Sequence, residues 1–297
     1  MKVVRITDGL GNQMFQYAFA LALQKMTGDE VCLDRSWFPE YGGKLRCAVR
    51  RIFGLGVYQL SINEYVDAKV SNELIYGKGL VGKMNKMLHC RPGLLREGRQ
   101  LLTLPELGSY VGKNRVFRGF FQQACYAEFA REDLLKEFSI DDSVLNAANL
   151  DMLEQIRAAG ETAVSVHVRR GDYVNASTQS VFGLCSPDYY KRATRLIADK
   201  TGKPLHLFVF SDDPEWVRNE FRADFPLTPV SINSPDDGHL DINLMRHCRH
   251  AVTANSTFSW WGAWLIPHED AVVVSPERWF VSSGKAAGLQ PERWYLV

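Results

Sequence analysis

Ala163-Val-Ser-Val-His-Val168 runs directly into Arg169-Arg170-Gly171-Asp172-Tyr173. The first six residues make a continuous, mostly apolar run of the kind found in strands buried on both faces. Alternation along a strand sends successive side chains to opposite faces, so the two arginines diverge at its carboxyl end. The same rhythm continues downstream, with a helix expected over 187–200, a strand over 205–210 and a helix over 214–221. A helix over 240–248, a strand over 251–254 and a helix over 257–265 complete the pattern. Strands alternating with helices of this length predict a mostly parallel sheet. Such sheets bind ligands beyond the carboxyl ends of their strands.

The remaining polar clusters fall at those ends. Arg169 and Arg170 can fork onto phosphate oxygens, although a plain Arg/Asp ion pair would use the same residues. Asn255-Ser256-Thr257-Phe258-Ser259-Trp260-Trp261-Gly262 opens a helix rich in hydroxyls over its first turn, where free N–H groups and the helix dipole favour anions. Ser256 or Thr257 could equally be a helix cap, and the tryptophans core. Asp241 begins a helix near the same edge, where a carboxylate can accept paired N–H bonds from a guanine; a simple N-terminal acid reads the same way. Asp213 before Pro214 looks like a helix start. Its neighbour Asp212 is free to touch ribose or to position the arginines.

At the other end of the chain a short strand over 3–7 meets Asp8-Gly9-Leu10-Gly11 and an amphipathic helix over 12–26, followed by a strand over 30–34. This βαβ opening imitates a dinucleotide fingerprint, with Asp34 in the place of a ribose-binding acid. Met14 stands where that fingerprint needs a third glycine, which argues against it. Residues 37–123 show no clear periodicity, and a surface specific to one substrate would be free to vary there. The polar stretch at 139–160, with a helix over 144–159 closed by Gly160, sets the expected division into domains 1–155 and 156–297.

Thirty-five Lys and Arg against 34 Asp and Glu leave a net charge of +1 on 297 residues, which excludes a broad nucleic-acid-binding face. Cys32, Cys47, Cys90, Cys125, Cys185 and Cys248 form no C-x-x-C pair and read as reduced core cysteines. No Asp-x-Asp pair occurs, and His247-Cys248-Arg249-His250 lacks a further ligand at zinc-like spacing, so no metal site is expected. Met1 leads into Lys-Val-Val-Arg-Ile without a signal-peptide pattern, and 251–267 is too short and polar to span a bilayer. The expected location is therefore the cytoplasm. The sequons at Asn175 and Asn255 then have no role.

Three motifs, Gly9-Leu-Gly-Asn-Gln-Met-Phe-Gln-Tyr-Ala18, His167-Val-Arg-Arg-Gly-Asp-Tyr-Val174 and Asn255-Ser-Thr-Phe-Ser-Trp-Trp-Gly262, resemble in this order the α-1,2-fucosyltransferases of bacteria and animals. The resemblance runs from Lys2 to about Phe280 and is weakest over 37–123. Asp8 departs from it, since the family more often has glycine there. The resemblance implies an α/β, GT-B fold of two Rossmann-like domains facing a cleft, with acceptor bound mainly by 1–155 and GDP-fucose by 156–297. Arg169 resembles the arginine that holds the donor's β-phosphate in related fucosyltransferases. Asp241 and Ser259 resemble their guanine and phosphate contacts, and Asn12 an asparagine used near the donor.

The donor-binding set expected is thus Gly11, Asn12, His167, Arg169, Arg170, Asp212, Asp241, Asn255, Ser256, Thr257 and Ser259. Arg169 and Asp172 are the catalytic candidates, Asp172 either as base or as an ion-pair partner of the arginines. The activity implied is inverting, metal-independent transfer of L-fucose from GDP-β-L-fucose to the 2-hydroxyl of a terminal β-galactoside, without a cofactor. Another GDP-sugar transferase and a non-catalytic GDP-sugar-binding module remain open. The expected partners are GDP-fucose and a β-galactoside glycan, with room for peripheral contact with a lipid-linked acceptor and none for nucleic acid or a transmembrane segment.

Overall fold

A computed structural model describes residues 1–43, 51–98, 102–174, 176–282 and 287–297, without the side chains of Asp172 and residues 176–178. Asp172's side chain, Cys47 and the sequon asparagine Asn175 lie outside the described residues. The chain divides into two compact units, Met1–Phe138 and Ser139–Val297. The division falls earlier than the expected 155/156. Its physical reason is helix Ala147–Ala159, whose buried Met152, Leu153 and Ile156 pack within the second unit.

In the first unit, strands β1 (Lys2–Arg5), β2 (Val31–Asp34), β3 (Tyr65–Val66), β4 (Leu94–Arg96) and β5 (Arg115–Arg118) form a parallel sheet in the order β3-β2-β1-β5-β4. Its helices are α1 (Leu10–Thr27), α2 (Ala68–Tyr76), α3 (Gly79–Met87), α4 (Leu104–Gly108), α5 (Ala124–Phe129) and α6 (Arg131–Glu137). The helix α1 is buried along most of its length, because Met14, Phe15, Phe19 and Leu23 face the core. It ends at Gly28, whose φ of 66° is a left-handed conformation that glycine adopts without strain. Strand order reverses between β1 and β5, which makes their carboxyl ends the ligand-binding edge of this sheet.

The second unit holds α7 (Ala147–Ala159), β6 (Ala163–Val168), α8 (Ala176–Phe182), α9 (Pro187–Thr201), β7 (His206–Ser211), α10 (Pro214–Glu220), β8 (Leu227–Val230), α11 (Gly238–Arg246), β9 (His250–Val252), α12 (Thr257–Trp264), β10 (Val273–Ser275) and β11 (Tyr295–Leu296). The sheet is parallel in the order β11-β10-β9-β6-β7-β8. Read from β6 outward, this is the doubly wound dinucleotide-fold order, with its switch point between β6 and β9. All six residues of β6 are buried, as its sequence requires of a central strand. The tryptophans prove to be core: Trp260, Trp261 and Trp264 are fully buried and in mutual ring contact. Gly262 lets α12 approach α11, since a Cβ there would lie 2.8 Å from Met245 Sδ.

Candidate active site

The carboxyl ends of β6, β7 and β9 bring together most of the polar residues singled out in the sequence. Strand alternation puts His167 and Arg169 on one side and Arg170 on the other, and the arginines separate accordingly. Arg169 Nη1 lies 2.9 Å from Asp212 Oδ2 at the end of β7, and its guanidinium sits 5.3 Å from the Tyr173 ring centre. Arg170 instead pairs with Asp213, Nε to Oδ2 at 3.2 Å, and stacks 4.3 Å from the Trp216 ring centre on α10. Asp213 Oδ1 also caps α10 by accepting the N–H of Trp216.

Asp212 does more than neutralise a charge. Its Oδ1 accepts the backbone N–H groups of Arg170 (2.8 Å) and Gly171 (3.0 Å), so one carboxylate fixes both the turn and Arg169. A Cβ at Gly171 would collide with Asp212 Oδ2, so the close approach requires glycine. Asp212 is thereby bonded to Arg169 and to the turn that follows it.

His167 is almost fully buried, with its ring against Phe258 at a centroid distance of 5.3 Å. Burial pushes its pKa down to about 4; the Asp212 charge opposes this and Arg169 adds to it, so the imidazole is neutral at pH 7. Its Nδ1 has no hydrogen-bond partner among the described residues. A buried polar nitrogen at a sheet's ligand edge is a group that a bound molecule can satisfy.

The turn after β9 works mainly from within. Asn255 is buried, donating from Nδ2 to the carbonyls of Phe182 (2.8 Å) and Trp279 (3.2 Å) and accepting from the Cys185 thiol. Ser259 Oγ accepts from Ala254 N–H at 3.1 Å and reaches the carbonyls of Ala254 and Ser256. These two side chains hold the loop from within. Ser256 occupies the cap position of α12 without a side-chain capping bond, and Thr257 begins the helix half-buried. The loop therefore offers backbone N–H groups and the dipole end of α12 as its anion-attracting features.

Asp241 lies in the first turns of α11, where burial raises its pKa to about 6; a bond from Asn233 lowers it and the Asp237 charge raises it. Asn233 Nδ2 donates to Asp241 Oδ1 at 2.8 Å. The same Asn233 forms a reciprocal carboxamide pair with fully buried Asn149 on α7, at 2.7 and 3.0 Å. Asn149 in turn reaches the α7 cap residue Asn146. A carboxylate held this way is aimed rather than free. Gly238, at the start of α11, lies against Phe258, whose ring also touches His167. Sequence reasoning missed Asn149 and Asn233; the only trace was two asparagines beside helix starts.

Sequence reasoning also missed a 350 Å³ cavity beside this edge, whose wall includes Phe182, Tyr189, Arg192, Asn255 and Arg278. It lies beyond the ends of β9 and β10, and its size suits part of a nucleotide-sized ligand.

In the first unit the motif 9–18 builds the turn from β1 into α1. Buried Gln13 donates to the carbonyls of Asp8 and Ile52 and accepts from Gly54 N–H. Buried Gln16 accepts from Thr7 N–H and donates to Thr7 Oγ1 and to the carbonyl of Gly119 beyond β5. Gly11 is buried on α1, and half-buried Asn12 accepts from Gln122 Nε2 at 2.8 Å. Asp8 has φ of 70° and Phe121 has φ of 51°, so both edges of the switch point carry a non-glycine residue in the left-handed region. Asp34, the acid of the dinucleotide reading, is fully buried beside Arg5 and accepts from Ser36 N–H, which leaves it no reach to a ribose.

Among the described residues no group of three or more His, Cys, Asp or Glu side chains could hold a metal ion, and no helix is long and apolar enough to cross a membrane.

The O-antigen biosynthesis glycosyltransferase WbnK of Escherichia coli is 32% identical over 293 residues, 95% of each chain. An alpha-1,2-colitosyltransferase of Escherichia coli is 30% identical over 280 residues, 94% of this chain and 92% of that one. The galactoside 2-alpha-L-fucosyltransferase Sec1 of Mus musculus is 25% identical over 269 residues, 89% of this chain and 64% of that one. Among solved structures, the fucosyltransferase NodZ from Bradyrhizobium matches with a TM-score of 0.50 at 16% identity, covering 90% of this chain and 92% of that chain. That match is a likeness of fold, and it agrees with the two parallel-sheet units in giving a GT-B architecture. With residues 107–295 matching the model of glycosyl transferase family 11, and relatives aligned over nearly the whole chain, the protein belongs to glycosyl transferase family 11.

Proposed function

We propose that this glycosyltransferase moves L-fucose from GDP-β-L-fucose to the 2-hydroxyl of a terminal β-galactoside, with inversion at the anomeric carbon and without a metal ion. The observation that carries the reading is Arg169, oriented by Asp212 at the switch point of the second sheet. In the proposed reaction the galactose oxygen attacks as the bond from the anomeric carbon to the β-phosphate oxygen breaks. Negative charge then grows on the departing diphosphate, and a preorganised guanidinium with helix-start N–H groups stabilises it most where it grows most. Asp241, aimed by Asn233, accepts the guanine N–H groups. Neutral His167 offers its unbonded nitrogen to the donor. Asp172 is the proposed acceptor of the hydroxyl proton. The second unit holds the donor and the first the acceptor, and the enzyme acts in the cytoplasm.

The 30% identity to an alpha-1,2-colitosyltransferase favours one second reading, in which the same residues hold a GDP-linked donor carrying a different deoxysugar. The deciding experiment measures GDP release in excess EDTA from GDP-fucose, GDP-colitose and GDP-mannose. Lactose, N-acetyllactosamine and a Galβ1,3-linked disaccharide serve as acceptors. Turnover with GDP-fucose and a Fucα1,2Gal product supports the first reading. Preference for GDP-colitose moves the assignment to the second, and GDP binding without release for any pair overturns both. Loss of turnover in EDTA, restored by Mg²⁺ or Mn²⁺, would refute metal independence.

A further inference from the structure

The helix α3 (Gly79–Met87) is turned inside out relative to a helix of a globular core. Leu80, Val81, Met84, Met87 and the following Leu88 are 83%, 57%, 50%, 73% and 63% exposed. At 3.6 residues per turn these five positions fall within one stripe of roughly 120°. The side turned to the protein carries almost no hydrocarbon: Gly82 is its buried residue, packed against the carbonyl of Gly77 where a Cβ would collide. Asn85 anchors the same side by donating from Nδ2 to the carbonyl of Tyr76 at 2.7 Å. The helix thus spends its small and polar residues on attachment and presents its large apolar ones outward.

The charge carried by the helix and the turn after it has one sign. Lys78, Lys83, Lys86 and Arg91 lie in or beside the helix, and no acidic residue occurs from 78 to 96. Lys78 pairs with Glu73 on α2 at 3.7 Å, and Lys86 lies 5.5 Å from the Tyr76 ring centre, so both are drawn alongside the helix rather than away from it. Scattered apolar residues on a surface need no explanation, whereas five on one helical stripe do. An apolar stripe bordered by lysines is the arrangement that lies in the plane of an anionic bilayer, with hydrocarbon below the headgroups and ammonium groups among them.

We propose that α3 is a membrane-docking helix that rests the first unit on a lipid surface bearing anionic headgroups. The commitment to lipid rests on the uniform positive charge: a second copy of this chain would set lysine against lysine across the same face. A single nine-residue helix makes the contact reversible and sensitive to salt, each basic residue near an anionic surface contributing about fivefold to binding.

The test is co-sedimentation of the intact protein with vesicles of phosphatidylcholine alone or of equal parts phosphatidylcholine and phosphatidylglycerol. The variants are Leu80→Gln/Met84→Gln/Met87→Gln and Lys83→Glu/Lys86→Glu. All five positions are on the outward or flanking sides, so thermal melts should match wild type. Wild type is expected to bind the anionic vesicles, weakly or not at all the neutral ones, and less as salt rises; each variant is expected to lose at least tenfold in binding. A Met84→Trp variant should show blue-shifted emission only with anionic vesicles. The proposal is overturned if wild type does not bind anionic vesicles or if both variants bind undiminished. It is also overturned if light scattering shows a dimer that the triple variant abolishes, which would assign the face to a second copy.

Discussion

Asp212 serves Arg169 and the turn that follows it with different oxygens: Oδ2 faces the guanidinium at 2.9 Å while Oδ1 accepts the N–H groups of Arg170 and Gly171. The two jobs can be separated. Asp212→Asn keeps a carbonyl oxygen for the turn and removes the charge beside Arg169, whereas Asp212→Ala removes both. A charge-assisted bond is worth about 1.5–3 kcal/mol, and the lower end applies to a group that is a quarter exposed. We therefore expect Asp212→Asn to lose roughly tenfold in kcat with a near-normal melt, and Asp212→Ala to lose activity and stability together. Equal stability loss in both would show that charge rather than shape holds the turn.

Arg169→Lys and Arg170→Lys should part company. Lysine cannot present a planar fork to phosphate oxygens, so Arg169→Lys is expected to lower kcat by about 10²-fold or more, with a smaller change in donor affinity. Arg170→Lys keeps the pairing with Asp213 and loses stacking on Trp216, a cost of about 0.5–1 kcal/mol seen in the melt rather than in kcat. Steady-state kinetics on both proteins decide the matter, and a wild-type kcat in Arg169→Lys refutes the assignment.

The guanine contact proposed for Asp241 would make donor binding dependent on pH. Only its ionised form accepts two N–H groups, so GDP affinity should fall as pH drops through about 6, approaching tenfold per unit. The stability contribution runs the opposite way. A folded-state pKa raised above the ordinary 3.8 favours the protonated native state, so stability from this group declines as pH rises from 3.8 to about 6 and is level above. Calorimetry between about pH 5 and pH 8 should show the affinity change in wild type and its absence in Asp241→Asn. A flat wild-type profile would remove guanine recognition from this carboxylate.

Gln16 ties three elements of the first unit through one buried carboxamide. Gln16→Leu strands Thr7 N–H and the Gly119 carbonyl, at about 1–3 kcal/mol for each group left without a partner. Urea unfolding should register the loss; a change within about 0.5 kcal/mol would mean that water replaces the side chain.

The second unit was readable from sequence because its signals were local and strong. Ala163–Val168 is a buried run bounded by polar residues, and α9 has its cap at Ser186, proline at Pro187 and left-handed Gly202 beyond. The same reasoning passed over β8, whose Pro229 reads as a strand breaker but sits on the sheet's edge strand, where proline is tolerated. It passed over β10 and β11 because three- and two-residue strands carry no period. In 37–123 no periodicity was legible, and within it the large residues of α3 point to solvent rather than to a core. Asp8 was legible only as a departure from a motif, and its φ of 70° supplies the cause: that position suits glycine. The loop-holding bonds of Asn255 and Ser259 were not legible, because sequence gives residue type and spacing, not the direction in which a buried side chain points.

The carboxamide pair between Asn149 and Asn233 sets where this protein can be cut and recombined. Asn149 belongs to α7, ahead of the first strand of the second unit, so a fragment or chimera opened at 156 would leave the Asp241 side of the pair behind without its partner. A graft that exchanges the second unit between relatives must begin by Ser139 and carry α7 with it, because the aim of the Asp241 carboxylate is inherited from that helix.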